Sequence, residues 1–322
     1  MKKILIIQTA FLGDVILATP IAENLKANFL NIEIHYVVKK GNESLLSNHK
    51  YIDKVWVFDK KNGKFKNILQ LAKNLRKEKF DLVLNLHRFA SSGIIAALAG
   101  GKKLFGFKKN PMSFMYTKSY IHEIGNGEHE VDRNLSLLSS LNLKDFVKRP
   151  SLFPSDSDQE KISEYQSKPY YCIAPASVWA TKQLPKEKWI ELLKTLSDRG
   201  QVYVLGSPDD KSFCQEIIES SETNATNLAG KLSLLQSAAL MKDAERNFVN
   251  DSGPLHLASS VNARVTAFFC STIPAFGFGP LSDDSEIRET KEKLDCRPCG
   301  LHGYSACPKG HFKCGEISLK DI

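Results

Sequence analysis

No apolar run in this chain approaches the roughly 20 residues that a membrane-crossing helix needs, which excludes an integral helical membrane protein. The N-terminal run Ile4-Leu5-Ile6-Ile7 is too short for a signal peptide and leads into Gly13-Asp14, not into a small-residue cleavage site. It reads as a buried first strand, and the expected location is the cytoplasm. The G-x-G-x-x-G dinucleotide fingerprint is missing, which weighs against a nicotinamide or flavin enzyme, and there is no Walker A sequence. No basic motif with interleaved aromatics occurs, so no nucleic acid partner is expected. Low-complexity tracts are also absent.

What remains is a chain of 322 residues, 42% hydrophobic and 25% charged, long enough for two globular domains. Its charge is unevenly placed. Residues 1–150 carry 25 basic against 13 acidic side chains, whereas residues 151–322 carry 19 against 23. A basic half beside an acidic half points to an anionic partner for the first, either a phosphorylated substrate or an acidic membrane face. Lys102, Lys103, Lys108, Lys109 and Lys118 surround a Gly- and Pro-containing loop that suits such a contact, or else form an ordinary solvated surface.

Short β-rich runs alternate with helical periodicity throughout. Strands are expected at 4–8, 33–38, 54–58, 81–86 and 103–107, and helices at 15–27, 65–77, 91–98 and 131–141. The polar, proline-bearing stretch Arg149–Asp158 reads as a linker. The alternation then restarts, with strands at 170–174, 202–205, 247–250 and 265–269 and helices at 186–197, 209–219, 233–241 and 254–261. The expectation is an α/β protein of two Rossmann-like, doubly wound domains, 1–150 and 151–322, facing a central cleft that holds the ligands.

Three turns carry candidate chemistry. Asp14 lies where the first helix begins, either as an ordinary N-cap or as a general base at the carboxyl end of a central strand. The loop Pro175–Pro185, with Ser177 and Lys182, suits a phosphate site, where backbone N–H groups approach closely and an ammonium neutralises charge. Asn250-Asp251-Ser252-Gly253-Pro254-Leu255-His256 ends a strand and opens a helix, and its exposed N–H groups form an anion site for a diphosphate. His256 could face that ligand or pack in the core.

Taken in order, "KILIIQTAFLGDVILATP", "HEVDRNLSLLSSLNL", "FVNDSGPLHLASSVNARVTAFF" and "CRPCGLHGYSACPKGHFKC" resemble glycosyltransferase family 9, the ADP-heptose:lipopolysaccharide heptosyltransferases. The resemblance covers nearly the whole chain. It implies a GT-B fold and an inverting transfer that requires no metal cofactor, with the acceptor on the N-terminal domain and the nucleotide on the C-terminal one. It makes Asp14 the catalytic base and Lys182 a donor-phosphate contact. Asp251, Ser252, Gly253 and His256 fall on the diphosphate block, Asp210 near a ribose-contacting carboxylate, and Leu232 near a residue that packs on adenine. The partners it implies are an ADP-heptose-like donor, an anionic lipid-linked glycan and the inner face of the cytoplasmic membrane. Gln8 stands where many relatives carry Arg or Lys, and His87-Arg88 where they often show Gln-Gly and a lysine. Both departures concern the acceptor, for which His87 and Arg88 are the candidate contacts. A nucleotide-sugar epimerase and a non-catalytic glycan-binding homologue are the rival readings.

Of seven cysteines, Cys172, Cys214 and Cys270 sit in apolar surroundings and read as small core residues. Cys296, Cys299, Cys307 and Cys314 have the paired spacing of a small structural zinc site, with His302 and His311 as substitute ligands. Reduced thiols and disulfides are the alternatives.

Overall fold

The computed structural model describes residues 1–322, which divide into two compact units. Met1–Ile124 with Glu130–Phe153 form the first, and Gly125–His129 with Pro154–Ile322 form the second. In the first unit the chain runs β1 (Lys3–Ile7), α1 (Leu12–Leu17), α2 (Thr19–Asn28), β2 (Glu33–Lys39), β3 (Lys54–Phe58), α3 (Lys64–Lys77), β4 (Leu82–Asn85), α4 (Ala90–Leu98), β5 (Lys103–Phe107), β6 (Lys118–Tyr120) and α5 (Glu130–Ser136). The strands form one sheet in the order β3-β2-β1-β4-β5-β6, every pair parallel.

The second unit continues with α6 (Asp156–Ile162), β7 (Tyr170–Ala174), α7 (Lys186–Ser197), β8 (Gln201–Val204), α8 (Lys211–Ser221), β9 (Thr226–Asn227), α9 (Leu234–Lys242), β10 (Arg246–Asn250), α10 (Gly253–Ser260), β11 (Val265–Phe269) and β12 (Ser285–Glu289). Its sheet, β12-β11-β10-β7-β8-β9, has the same connectivity as the first, again wholly parallel. The fold class is therefore α/β, two Rossmann-like doubly wound units.

Helices on both faces explain the unbroken apolar strands, since a parallel sheet covered twice has no solvent side. Ile4 through Ile7 are all buried. Leu5 and Ile7 pack with Ile68, Leu71 and Leu75 of α3 and Ile95 of α4. In the second unit Trp189, Leu192, Leu193 and Leu196 of α7 meet Val202, Val204, Phe248 and Phe268, with Cys214 of α8 and Cys314 in the same cluster.

Three expectations need correction. The helix read as 15–27 starts at Leu12 and breaks at Ala18. Pro20 has no N–H to continue the ladder, and the carbonyl of Ile16 accepts instead from the Thr19 hydroxyl at 2.8 Å. The stretch 149–158 does hold the boundary between the units, at Phe153–Pro154, but its first part is fixed to the first unit. Val147 and Asn24 exchange hydrogen bonds of 2.9 and 2.7 Å, and the Ser151 carbonyl lies 3.1 Å from His49, so the chain stays on the first unit to Phe153. Ser155 then caps α6, accepting from the Asp158 N–H. The five surface lysines do not surround one loop, because Lys102 pairs with Asp81 at 2.7 Å at the amino edge of the sheet, whereas Lys108 and Lys109 follow the carboxyl end of β5.

Trp189 is fully buried, edge-on to Phe268, and its indole N–H has no acceptor. Trp189→Ala should cost about 3–5 kcal/mol in denaturant unfolding through the cavity it leaves. Trp189→Phe should cost much less, because it also removes the unsatisfied donor.

Candidate active site

In each sheet the strand order reverses beside its first strand, between β1 and β4 and between β7 and β10. Loops leaving such neighbours in opposite directions open a crevice at their carboxyl ends, where doubly wound sheets bind ligands. Asp14 follows β1 and His87-Arg88 follow β4. Lys182 follows β7, and Asp251 to His256 follow β10.

Asp14 is not the N-cap. Phe11 holds that position, and Asp14, three residues into α1, accepts the Phe11 N–H at 3.2 Å. Its half-buried carboxyl is pushed up to about 6, first by burial and then by the Glu130 carboxylate, against the opposing pull of the Phe11 N–H and Arg88. Glu130 itself is buried. Burial pushes it up, but His122 at 3.1 Å and Arg133 at 2.8 Å outweigh that and hold it below the usual range. It thus stays anionic and loads its field onto Asp14.

Cations face the same carboxylate. Burial, Lys39 and Lys64 bring Lys60 down to about 8, while Asp14 pulls it up, and its ammonium donates to the Thr9 carbonyl. Lys39 is lowered by burial and likewise raised by Asp14. His87 is buried, with Nδ1 3.0 Å from the Thr9 hydroxyl, and burial, Lys60 and Arg88 lower it to about 3. It is a neutral ring at physiological pH, whereas the neighbouring Arg88 is exposed. Gln8 is buried and accepts the Ala10 N–H at 3.3 Å, which makes it a support for the turn. Lys39, Lys60 and Glu130 were not singled out from the sequence. The signal for the lysines was their place at the end of β2 and just past the end of β3.

In the second unit Lys182 and Asp251 meet. The Lys182 ammonium lies 2.7 Å from Asp251 Oδ2, their side chains only 15% and 6% exposed, and Thr272 donates to the same oxygen at 2.6 Å. Asn250, also not singled out, positions both elements: its Oδ1 accepts the Leu184 N–H at 2.9 Å and its Nδ2 donates to the Pro175 carbonyl at 2.8 Å. Ser177 lies half-buried in that loop, its carbonyl held by Gln183 at 2.6 Å. Ser252 is the N-cap residue of α10, but its hydroxyl lies 3.4 Å from the Asn250 carbonyl and caps no helix N–H, and Gly253 begins the helix. His256 is 5% exposed, a packed side chain of that helix. Asp210 closes its own turn, accepting from the Ser207 N–H and hydroxyl at 2.8 and 2.6 Å, and Leu232 is half-buried just before α9.

Against known proteins, the profile of glycosyltransferase family 9 (heptosyltransferase) matches residues 68–301. The chain belongs to glycosyltransferase family 9. It is 28% identical over 279 residues to lipopolysaccharide heptosyltransferase 3 of Escherichia coli K12, covering 82% of this chain and 81% of that one. It is 27% identical over 315 residues to lipopolysaccharide heptosyltransferase 1 of Campylobacter coli, with 91% and 90% covered. Among solved structures, a family 9 glycosyltransferase from Veillonella parvula aligns with a TM-score of 0.81 at 23% identity over 89% of this chain and 85% of that one. E. coli ADP-heptose LPS heptosyltransferase II aligns at 0.79 and 21% over 93% and 96%, which shows the shared GT-B fold. As a family 9 member the protein is a glycosyltransferase, which sets aside the epimerase and the non-catalytic readings.

The cysteine-rich tail has no disulfide: Cys296, Cys299, Cys307 and Cys314 are all free. The Cys299 thiol lies 3.1 Å from the Cys296 carbonyl, and the Cys296 sulfur 3.8 Å from His311 Nε2. Backbone N–H groups of Phe312, Lys309, Gly310 and His311 are directed at the Cys307 sulfur. A separate group of potential ligands, Glu33, His35 and Glu78, is occupied by the Lys3 ammonium, 3.1 and 2.8 Å from the two glutamates.

The raised Asp14 carboxyl has a thermodynamic consequence. Its folded value lies above its unfolded one, so its contribution to stability is full below about pH 4 and is lost as pH rises through about 6. Asp14→Asn, which keeps an acceptor for the Phe11 N–H, should therefore unfold at a higher temperature than wild type at pH 8. The difference should shrink toward pH 4 when melting is followed by circular dichroism.

Proposed function

We propose that this protein transfers a heptose, or a closely related sugar, from an ADP-sugar to an anionic lipid-linked glycan of the lipopolysaccharide-core type, with inversion at the anomeric carbon. The observation that carries this reading is Asp14, a carboxylate with its proton affinity raised to about 6 among cationic side chains. A base of that strength is ionised at neutral pH yet accepts a proton readily. Asp14 takes the proton of the acceptor hydroxyl as that oxygen attacks the anomeric carbon from the face opposite the leaving diphosphate. Lys39, Lys60 and Arg88 suit phosphate or carboxylate groups on the acceptor. The names of the E. coli and C. coli relatives, and the solved complex of an E. coli heptosyltransferase with ADP, support the donor and acceptor classes.

In the donor unit Lys182 supplies the positive charge that stabilises the departing nucleoside diphosphate, and the N–H groups at the start of α10, at Gly253, supply the rest. Asp251 cannot face a diphosphate favourably. Its part is to hold the Lys182 ammonium, with Thr272 fixing the carboxylate in turn. Ser177 borders the same loop, Asp210 suits the ribose hydroxyls and Leu232 the base. With these groups carrying the charge, we propose a transfer that needs no metal ion.

The tail cysteines match a structural zinc ion in the identity of the donor atoms, four thiols with His311 beside Cys296, but no three of these ligand atoms lie within 4.8 Å of one another, so a bound ion would have to draw them together. The ion would be structural, since no step of the transfer is assigned to it. Freshly purified reduced protein should then carry about one equivalent by metal analysis, and its absence would retire the zinc reading. No helix is long and apolar enough to cross a membrane. We infer a peripheral position on the inner face of the cytoplasmic membrane, supported by Phe114, 78% exposed, and Met115 in the loop that carries Lys108 and Lys109. Sedimentation with phosphatidylglycerol vesicles should fall in Phe114→Ser.

A thermal-shift panel of nucleotide diphosphates tests the donor, with selective stabilisation by ADP the expected result. Asp14→Asn should keep ADP affinity and lose about 10²–10⁴ in kcat. Wild-type kcat/KM should fall below about pH 6 as a single group protonates. Near-wild-type turnover in Asp14→Asn would remove it as the base. Lys182→Ala should weaken ADP by at least about tenfold in calorimetry, and it also strands a buried Asp251. Lys182→Met with Asp251→Asn should recover the stability without the affinity.

A further inference from the structure

The residues around the cysteine tail form a closed circuit with the donor lysine. Tyr304 N–H donates to the Thr181 hydroxyl at 2.8 Å, and Thr181 N–H returns a bond to the Tyr304 carbonyl at 3.1 Å. The Thr181 carbonyl accepts the Ser271 N–H at 3.2 Å, and the Ser271 carbonyl accepts the Cys299 N–H at 2.8 Å. Arg297 donates to the carbonyls of Cys270 at 2.7 Å, Phe269 at 3.0 Å and Thr272 at 2.8 Å. Thr272 in turn donates to Asp251, which holds Lys182, the neighbour of Thr181. Segment 297–304 thus grips both ends of the Lys182–Asp251 pair.

The closest approach is at Gly303, whose φ is +76°. A Cβ there would lie 2.8 Å from Thr181 Oγ1, 3.1 Å from Lys182 Cγ and 3.1 Å from Ser271 Oγ. Only a residue without a side chain lets the tail lie flat against the aliphatic stem of the lysine. Thr181 is buried, so its hydroxyl is spent wholly on this contact.

We propose that segment 297–304 is a brace that sets where the Lys182 ammonium points, with Thr181 and Gly303 as positioning residues for donor binding. The proposal rests on Lys182 being a donor-phosphate contact. A lysine stem has four rotatable bonds, and packing it between Gly303 and a fixed carboxylate removes the entropy a diphosphate would otherwise have to freeze. The tail, remote in sequence from the loop, therefore contributes to donor affinity without touching the donor.

Calorimetry with ADP on four variants tests this, each first checked for folding by circular dichroism and melting. Thr181→Val, which keeps the shape and removes the acceptor for Tyr304 N–H, should weaken ADP about 3- to 10-fold. KM for the nucleotide sugar should rise in step while kcat moves little. Thr181→Ser, which restores the hydroxyl, should bind within about twofold of wild type. Gly303→Ala should weaken ADP at least as much as Thr181→Val. If Gly303→Ala does not fold, the threonine pair carries the test alone. Lys182→Ala is the reference. Wild-type ADP affinity in Thr181→Val, beside a weakened Lys182→Ala, overturns the brace and leaves the donor site standing. Unchanged affinity in Lys182→Ala removes the donor reading and the brace together.

Discussion

Parallel pairing around a first strand that sits mid-sheet is the constraint on which everything else depends. Each parallel connection needs a crossover, and right-handed crossovers in opposite directions from β1 and from β7 place helices on both faces of each sheet. That arrangement buries Ile4 to Ile7 completely and leaves the loops at the carboxyl ends as the part of each unit free to vary. Asp14, Arg88, Lys182 and Asp251 all follow the carboxyl ends of strands next to a reversal of order. The same architecture thus supplies a carboxyl of raised proton affinity in one unit and a lysine held by a carboxylate in the other.

Charge in the two sites is handled differently. Around Asp14, burial and the anionic Glu130 raise proton affinity, while the Phe11 N–H and Arg88 oppose the rise. Around Lys182, a buried carboxylate and a threonine hydroxyl fix the ammonium. A buried ion pair of this kind contributes little net stability, because desolvation offsets its attraction. It gives the cation a defined direction, which the proposed stabilisation of a leaving diphosphate would use.

Much of this was legible in the chain. Strands 54–58, 103–107, 170–174 and 265–269 coincide with the sequence expectation, since each is an apolar run closed by turn formers. The edge strands β6, β9 and β12 escaped, being only 3, 2 and 5 residues long, and β12 alternates exposed and half-buried side chains around charged ones. Helix α6 escaped because Ser155 and Asp156 read as turn formers when they are a cap and a first turn. Asp14 and Lys182 stood out because each interrupts a strand-to-helix turn with a charge. Glu130, Asn250 and Thr181 did not, because each acts through a partner 66 or more residues away: Asn250 on Leu184 lies 66 apart, and Thr181 on Tyr304 123 apart.

The sequence by itself determined the family, the α/β alternation and the residue types at the two switch points, because periodicity and turn chemistry are local properties of the chain. It also determined that four cysteines are grouped within residues 296–314 of the chain. Only the tertiary structure decided that Asp14 sits inside its helix instead of capping it, that Glu130 raises its proton affinity, and that Lys182 is held by Asp251. Only the fold, too, laid Gly303 against the lysine stem. Electrostatic fields and close packing depend on distances across space, and a linear order of residues does not contain those distances.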